Sequence, residues 1–168
     1  MELLRVSSEK KIILRNLMEL YQYDMSQFED ESDNDVNEYG LFDYKYLDHY
    51  WTEDGRHPFF VMVSGKLAGF VLVREISVSD DLPKFSIAEF FILRKYRRQG
   101  VGKEVAYKTF EMFKGIWSVS WLEKNSLAKT FWTRTISEYS EGEYSETTYA
   151  GNPAVEFNSW AQRRTIAQ

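Results

Sequence analysis

The chain has 168 residues, a length that suits one domain with a substantial core, so we predict a single domain over residues 1–168. It contains no cysteine, which excludes a disulfide framework, a thiolate metal site and a cysteine nucleophile. The net charge of −5 argues against a nucleic-acid partner. With no signal peptide and no long apolar run in the sequence, we expect a cytoplasmic protein without a membrane partner.

The first quarter of the chain predicts a strand, a helix and an acidic loop. "LLRV" predicts the strand, and a helix over residues 9–25 follows, capped by Ser7 or Ser8. Carboxylates from Glu29 to Asp35 predict a solvated loop, which either draws in a cationic amine or only keeps the chain soluble. The apolar face of the helix is predicted to hold Ile13, Leu14, Leu17, Leu20 and Tyr21.

A short helix and a hairpin come next. "FDYKYLDHYW" predicts the helix, and "FFVMV" and "LAGFVLVREI" predict two strands joined by a turn at Ser64, Gly65 and Lys66. The inward side of the short helix is predicted to hold Phe42, Tyr46, Leu47 and Tyr50.

The second half predicts strands and helices in alternation, and with the first half it indicates a mixed α/β domain. "KFSIAEFFIL" is apolar on both faces, as a central strand is. A helix over residues 100–114, a strand at "IWSVSWL" and a helix that Asn125 caps follow it. Two last strands are predicted at "GEYSETTY" and "AVEFNSWA".

One turn between a predicted strand and a predicted helix combines arginine with glycine: Arg97-Arg98-Gln99-Gly100-Val101-Gly102. Glycine allows a ligand to approach the backbone, and the first amides of a helix lack intrahelical partners and attract anions. The turn therefore predicts a phosphate site made of backbone N–H groups and guanidinium donors. It matches neither the Walker loop nor the dinucleotide fingerprint.

This R-x-x-G-x-G turn resembles the pyrophosphate loop of the GNAT superfamily, the acyl-CoA-dependent N-acetyltransferases. In that family the loop is followed by a further strand and then by a helix whose sequence begins N-x-x-A-x-x-[LF]-[YW]. Here "IWSVSWL" is followed by Asn125, Ala128, Phe131 and Trp132 at that spacing. The resemblance runs from the first strand to the last and is weakest over residues 22–58.

The resemblance implies a central, mostly antiparallel sheet of six to seven strands flanked by helices, with strands four and five splayed to admit CoA. It implies transfer of an acetyl group from acetyl-CoA to a primary amine. From the acidic loop we expect a small cationic substrate, and from the isolated histidines no metal site; the chain is expected to be a monomer or a homodimer. By position in the motif, the residues implied to bind the cofactor are Phe91, Ile92, Leu93, Arg97, Arg98, Gln99, Gly100, Val101, Gly102, Lys103, Asn125, Phe131 and Trp132.

The catalytic groups are less fixed. Glu89, the one carboxylate in the apolar run "FSIAEFFIL", is either a general base with a raised pKa or a strand acid that points into solvent or pairs with a basic residue. His57 is the second candidate for the base, and His49 is interpreted as structural. Many members have a tyrosine acid where this chain has Trp132, and an indole N–H is no acid at neutral pH. Either Tyr139 protonates the CoA thiolate or the thiolate leaves without an acid.

Two other functions stay open from the sequence. One is an acyl-CoA-binding regulatory protein that has lost turnover. The other is a small nucleic-acid-binding domain that uses the arginine-rich turn, although CoA phosphates explain a short basic group in an acidic chain better.

Overall fold

A computed structural model describes residues 1–30, 35–78 and 82–160. Over these residues the chain forms seven strands and four α-helices. The strands are β1 Glu2–Arg5, β2 Arg56–Val63, β3 Lys66–Val78, β4 Pro83–Ile92, β5 Ile116–Ser120, β6 Tyr144–Tyr149 and β7 Asn152–Asn158. The helices are α1 Lys11–Ser26, α2 His49–Thr52, α3 Val101–Met112 and α4 Ser126–Tyr139.

In the part of the chain that the structure describes, the seven strands form one sheet in the order β1-β2-β3-β4-β5-β7-β6. The pairs β1–β2, β2–β3, β5–β7 and β6–β7 are antiparallel, whereas β4 and β5 run parallel. The parallel pairing joins Lys84–Ser86 to Ile116–Ser118, at the start of both strands. The predicted mixed α/β class, the mostly antiparallel sheet and the central position of β4 are confirmed.

The residues cluster into two compact units. The first unit comprises Met1–Arg74 and Ala88–Val105, and the second comprises Glu75–Ile87 and Ala106–Gln168. Leu14 and Met18 of α1 pack in the core of the first unit with Phe60, Phe70 and Phe91 of the strands. That the whole chain is one domain stays a prediction.

Aromatic rings fill the core of the second unit. The Phe110 ring centroid lies 5.0 Å from that of Trp117, 5.1 Å from that of Tyr139 and 4.8 Å from that of Phe157. Asn125 caps α4 as predicted, because its Oδ1 accepts a hydrogen bond from Ala128 N at 3.0 Å.

Three details of the helices differ from the prediction. Ser7 and Ser8 do not cap α1, since a 3₁₀ turn over Ser8–Lys10 comes first and Ser7 makes no capping bond with its side chain. On α1, Ile13 and Leu20 are 39% and 51% exposed. Its buried face consists of Leu14, Leu17, Met18, Gln22 and Asp24.

The third difference is the length of α2, which covers only His49–Thr52 and is preceded by turns. Leu47 and Tyr50 are buried as predicted, but Tyr46 is 43% exposed. The predicted acidic loop lies partly outside the described residues, at 31–34. Among the described residues, the structure has no helix with both the length and the apolar character to span a bilayer.

Gly69 allows β3 to lie against β4. A Cβ at this position would stand 1.9 Å from the carbonyl oxygen of Phe91, so any side chain forces the strands apart. We expect Gly69→Ala to lower the free energy of unfolding by at least about 2 kcal/mol in urea titrations. Gly65→Ala, at a turn with open space around the new methyl group, is the control and should cost about 1 kcal/mol. Equal losses would contradict this explanation.

Candidate functional site

The arginine–glycine turn lies in the first unit between β4 and α3. A 3₁₀ turn over Arg94–Tyr96 follows β4, and Arg98 and Gly100 then adopt the left-handed conformation with φ of 61° and 79°. Glu104 N makes the first hydrogen bond of α3, to Gly100 O at 3.0 Å. The backbone amides of Val101 and Gly102 precede that bond, at the positive end of the helix dipole.

The space beside Gly100 is open, since among the described residues, apart from Gly100 and its two chain neighbours, no atom lies within 4 Å of a Cβ built there. A left-handed glycine, open space on its side and the amides of a helix start are the features that a phosphate cradle needs. The turn therefore has the features of the phosphate site that the sequence predicted for it.

The side chain of Arg97 is already engaged by the protein. Its Nε donates to Ile92 O at 2.6 Å, and its Nη2 donates to Asp24 Oδ2 at 2.6 Å. Its guanidinium carbon also lies 5.5 Å from the Phe91 ring centroid. By contrast, Arg98 is exposed and makes no side-chain hydrogen bond or ion pair within the described residues.

Asp24 of α1 is the centre of a small ionic cluster. Arg94 Nη2 donates to its Oδ1 and Arg97 Nη2 to its Oδ2, both at 2.6 Å. The Asp24 side chain is 9% exposed, against 73% for Arg94 and 40% for Arg97. Burial alone would raise the pKa of Asp24, but the hydrogen bonds from Arg97 and Arg94 hold it below its ordinary value. Asp24 is thus a carboxylate with both oxygens bound.

Glu89 of β4 accepts hydrogen bonds from two tyrosines. Tyr21 of α1 donates its hydroxyl to Oε2, and Tyr44 donates its hydroxyl to Oε1 at 3.0 Å. Burial raises the pKa of both tyrosines, so they stay protonated as donors. Taken as a whole residue, Glu89 is partly buried.

The pKa of Glu89 is raised to about 7. Burial of the carboxyl group is the main cause; the two tyrosine hydroxyls oppose it, and the negative charge of Glu29 adds to it. Within the described residues, Glu29 Oε2 is enclosed and has no hydrogen-bond partner. The two carboxylates thus create a local excess of negative charge, and Glu89 titrates near neutrality.

Glu19 positions the segment that carries Tyr44. Its carboxylate accepts from Phe42 N at 2.8 Å and from Asp43 N at 3.0 Å. Because these amides immediately precede Tyr44, Glu19 fixes the backbone from which the Tyr44 ring extends to Glu89.

The end of β4 offers one outward amide. Phe91, Ile92 and Leu93 were predicted to bind the cofactor, and their backbone amides are the groups there that can donate. Leu93 N already donates to Ala68 O of β3 at 2.8 Å. Successive amides of a strand point to opposite edges, which directs the Ile92 N–H away from β3. The Ile92 carbonyl, on that same edge, is the group that accepts from Arg97.

The remaining predicted site residues lie in the second unit. Asn125 is buried and caps α4, Phe131 and Trp132 pack ring to ring at 4.8 Å, and Trp132 is buried. Tyr139 is buried too, and its hydroxyl donates to Glu111 Oε1 at 2.6 Å. Lys114 Nζ pairs with Glu111 Oε2 at 2.7 Å.

The two histidines have partners in the first unit. His57 Nδ1 faces Arg5 Nη1 at 3.1 Å, which makes Nδ1 an acceptor. His49 lies on α2 with its Nδ1 3.3 Å from Glu53 Oε1.

Asp24, Tyr21, Tyr44 and Glu19 were not predicted as site residues. A signal for Asp24 was present, because it lies three residues after Tyr21 and seven after Leu17, on the same stripe of α1. A carboxylate on a buried stripe requires a cationic partner. For Tyr44 the sequence holds no such signal.

Residues 17–136 match the sequence model of a family described as the Acetyltransferase (GNAT) family. Among solved structures, an acetyltransferase from Thermus thermophilus has a TM-score of 0.65 at 13% identity, covering 93% of this chain and 94% of that one. The PaiA N-acetyltransferase from Thermoplasma acidophilum, in complex with coenzyme A, has a TM-score of 0.63 at 11% identity, covering 94% and 98%.

A spermidine N-acetyltransferase, a chimera of the Vibrio cholerae SpeG protein and hSSAT, has a TM-score of 0.61 at 13% identity, with 96% of this chain and 98% of that one covered. At such identities these likenesses concern the fold alone. A search of curated proteins gives no match.

The raised pKa of Glu89 affects stability. Between its ordinary value of 4.5 and about 7, the folded protein holds a proton that the unfolded chain releases. Its contribution to the free energy of unfolding therefore falls as the pH rises through that window and is constant above it. We expect Glu89→Gln to gain stability relative to the native chain across that window, measured by urea unfolding at several pH values. Glu146→Gln, at an exposed position of β6, is the control, and a pH-independent difference for Glu89→Gln would contradict the assignment.

Proposed function

Because the chain belongs to the acetyltransferase (GNAT) family, whose members use acetyl-CoA, we propose that it is an N-acetyltransferase acting on a primary amine. The amine nitrogen attacks the thioester carbonyl in a ternary complex, the C–N bond forms, and the C–S bond breaks to release CoA. The observation that carries the proposal is Glu89, a carboxylate whose pKa is about 7. It lies on β4, the strand that leads into the arginine–glycine turn, called the phosphate-type turn from here on.

The turn from Arg97 to Lys103 is proposed to hold the CoA pyrophosphate. The backbone amides at the start of α3 and the left-handed Gly100 support this role. Between the two arginines, the exposed Arg98 is the better phosphate ligand, because Asp24 and the Ile92 carbonyl already occupy donors of Arg97.

Glu89 is proposed to accept the proton that the substrate ammonium must lose. A base works best when its pKa lies near the operating pH, and about 7 satisfies this. The hydrogen bonds from Tyr21 and Tyr44 orient the carboxylate without supplying a proton, since the pKa of each hydroxyl is raised. His57 is the weaker candidate, because the Arg5 guanidinium occupies its Nδ1.

The Ile92 amide is proposed to polarise the thioester carbonyl. Of the three candidate amides, that of Leu93 is bound to Ala68 O, and strand alternation turns that of Phe91 toward β3 as well. An N–H group fixed by the sheet stabilises a developing oxyanion without reorganisation, which is the condition for efficient electrostatic catalysis.

The acceptor is proposed to be a small cationic amine. The negative charge of Glu29 acts on Glu89 and raises its pKa, and Glu29 Oε2 has no hydrogen-bond partner within the described residues. Such charge favours an ammonium group over a neutral amine. The fold is shared with a protein named as a spermidine N-acetyltransferase, which is consistent with this class.

For the departing thiolate we favour release without an enzyme acid. Trp132 cannot supply a proton, and the Tyr139 hydroxyl proton is donated to Glu111. A thiol has a pKa near 8.5, so its anion is a tolerable leaving group. Tyr139 remains the alternative acid, and Tyr139→Phe separates the two routes through its effect on turnover.

The rival function is an acyl-CoA-binding protein without turnover. Thiol release from acetyl-CoA, followed with a panel of small amines, distinguishes it from the enzyme. The paired tyrosines on Glu89 favour catalysis, because simple cofactor binding has no need of a carboxylate poised at neutral pH.

We expect Gly100→Val to weaken CoA binding by more than about tenfold, because a bulky side chain at a left-handed position would distort the turn and fill the space beside it. Calorimetric titration with CoA measures this. Gly142→Val is the matched control, since Gly142 also has a left-handed φ and open space, and it lies outside the turn. Unchanged CoA affinity in Gly100→Val would remove the cofactor assignment.

We expect Glu89→Gln to lower kcat by about 10²–10⁴ and to leave CoA affinity nearly unchanged, because only the base is lost. The native kcat/KM for the amine should rise with pH through about 7, and this acidic limb should vanish in the variant.

Tyr44→Phe provides a second test in the same assay. Its hydroxyl lowers the pKa of Glu89, so its loss should move the acidic limb to higher pH and retain more activity than Glu89→Gln. If Glu89→Gln keeps the native rate and the same limb, the base is another group.

A further inference from the structure

The cluster of Asp24, Arg94 and Arg97 joins the last turn of α1 to the phosphate-type turn. Asp24 receives one guanidinium hydrogen bond on each carboxylate oxygen, both at 2.6 Å. Arg97 also reaches back to the Ile92 carbonyl, so it links the end of β4, α1 and the beginning of the turn. Charge-assisted bonds of this length are among the strongest that a protein makes.

Electrostatics alone gives no reason for a carboxylate here. Asp24 carries a negative charge close to a turn proposed to bind a doubly charged pyrophosphate, so its field opposes the ligand. It also neutralises part of the charge of Arg94 and Arg97. A residue that weakens anion attraction at an anion site must contribute through geometry.

We propose that Asp24 is a positioning residue for cofactor binding: by holding Arg94 and Arg97, it fixes the turn in its anion-binding conformation before the cofactor arrives. The inference rests on the proposed function, because it takes CoA as the ligand of the turn. This clamp, formed by Asp24, Arg94 and Arg97, holds the first residue of the 3₁₀ segment Arg94–Tyr96 and the residue directly after that segment. The left-handed Arg98 comes next. A turn that is already ordered loses less entropy when the ligand binds.

Two opposite expectations follow for Asp24→Asn. If Asp24 acts only through its charge, the variant binds CoA as well as or better than the native chain, because a repulsive charge is gone. If Asp24 positions the turn, the variant binds CoA about tenfold or more weakly, because misplaced donors lose most of their effect. The direction of the change in Kd therefore separates the two roles.

The experiment measures the Kd of CoA by calorimetry for the native chain, Asp24→Asn, Arg94→Gln and the double variant. If the clamp positions the turn, Arg94→Gln weakens CoA binding in the native background and has little further effect in Asp24→Asn. If Arg94 instead binds phosphate directly, Arg94→Gln weakens CoA binding equally in the native background and in Asp24→Asn. Asp48→Asn is the matched control, since it removes an exposed carboxylate of the first unit that pairs with Lys11, and its Kd should stay within about twofold of native.

A second readout needs no cofactor. Hydrogen exchange of the bonded amides around the turn, those of Tyr96, Arg97 and Glu104, should be faster in Asp24→Asn and in Arg94→Gln than in the native chain and in Asp48→Asn. Arg94 is largely exposed, so its variant tests the clamp even if Asp24→Asn folds poorly.

The outcomes separate the two proposals. A native chain that does not bind CoA overturns the proposed function. A native chain that binds CoA, with Asp24→Asn binding equally well and exchanging its turn amides at the native rate, overturns the positioning role alone.

Discussion

A carboxylate withdrawn from water must be supplied with hydrogen-bond donors, and this requirement organises the first unit around α1. Glu19 takes the amides of Phe42 and Asp43, and Asp24 takes the guanidinium groups of Arg94 and Arg97. Between them on the same helix, Tyr21 supplies a donor to the carboxylate of β4. One helix thus contacts three parts of the first unit: the segment that carries Tyr44, the Glu89 carboxylate proposed as the base, and the phosphate-type turn.

The sequence was sufficient for the elements with regular patterns. Alternating apolar residues around Ser64-Gly65 predicted the hairpin, and the apolar run before Arg94 predicted β4 as central. The capping of α4 by Asn125 could be predicted because it depends on residues only three positions apart. The arginine–glycine turn was recognisable for the same reason, since its backbone geometry and its motif are local.

Contacts between distant parts of the chain could not be predicted in the same way. Tyr21 and Glu89 are 68 residues apart, and Asp24 and Arg97 are 73 apart. The roles of Arg97 and Arg98 illustrate the consequence, because both fit a phosphate motif and only their surroundings distinguish the clamped side chain from the exposed one. The buried face of α1 was misplaced because apolar residues occur on more than one side of that helix, and Ile13 and Leu20 fit the period without being buried.

The bond from Tyr139 to Glu111 has a consequence for the choice of acyl donor. A sulfur that departs without a proton develops negative charge in the transition state, so the barrier depends on the intrinsic acidity of the thiol. Thioesters of more acidic thiols would then react faster at equal binding, in the manner of a Brønsted relation. Discrimination among donors would come partly from the chemistry of the donor itself, and the protein would need to recognise only its phosphates.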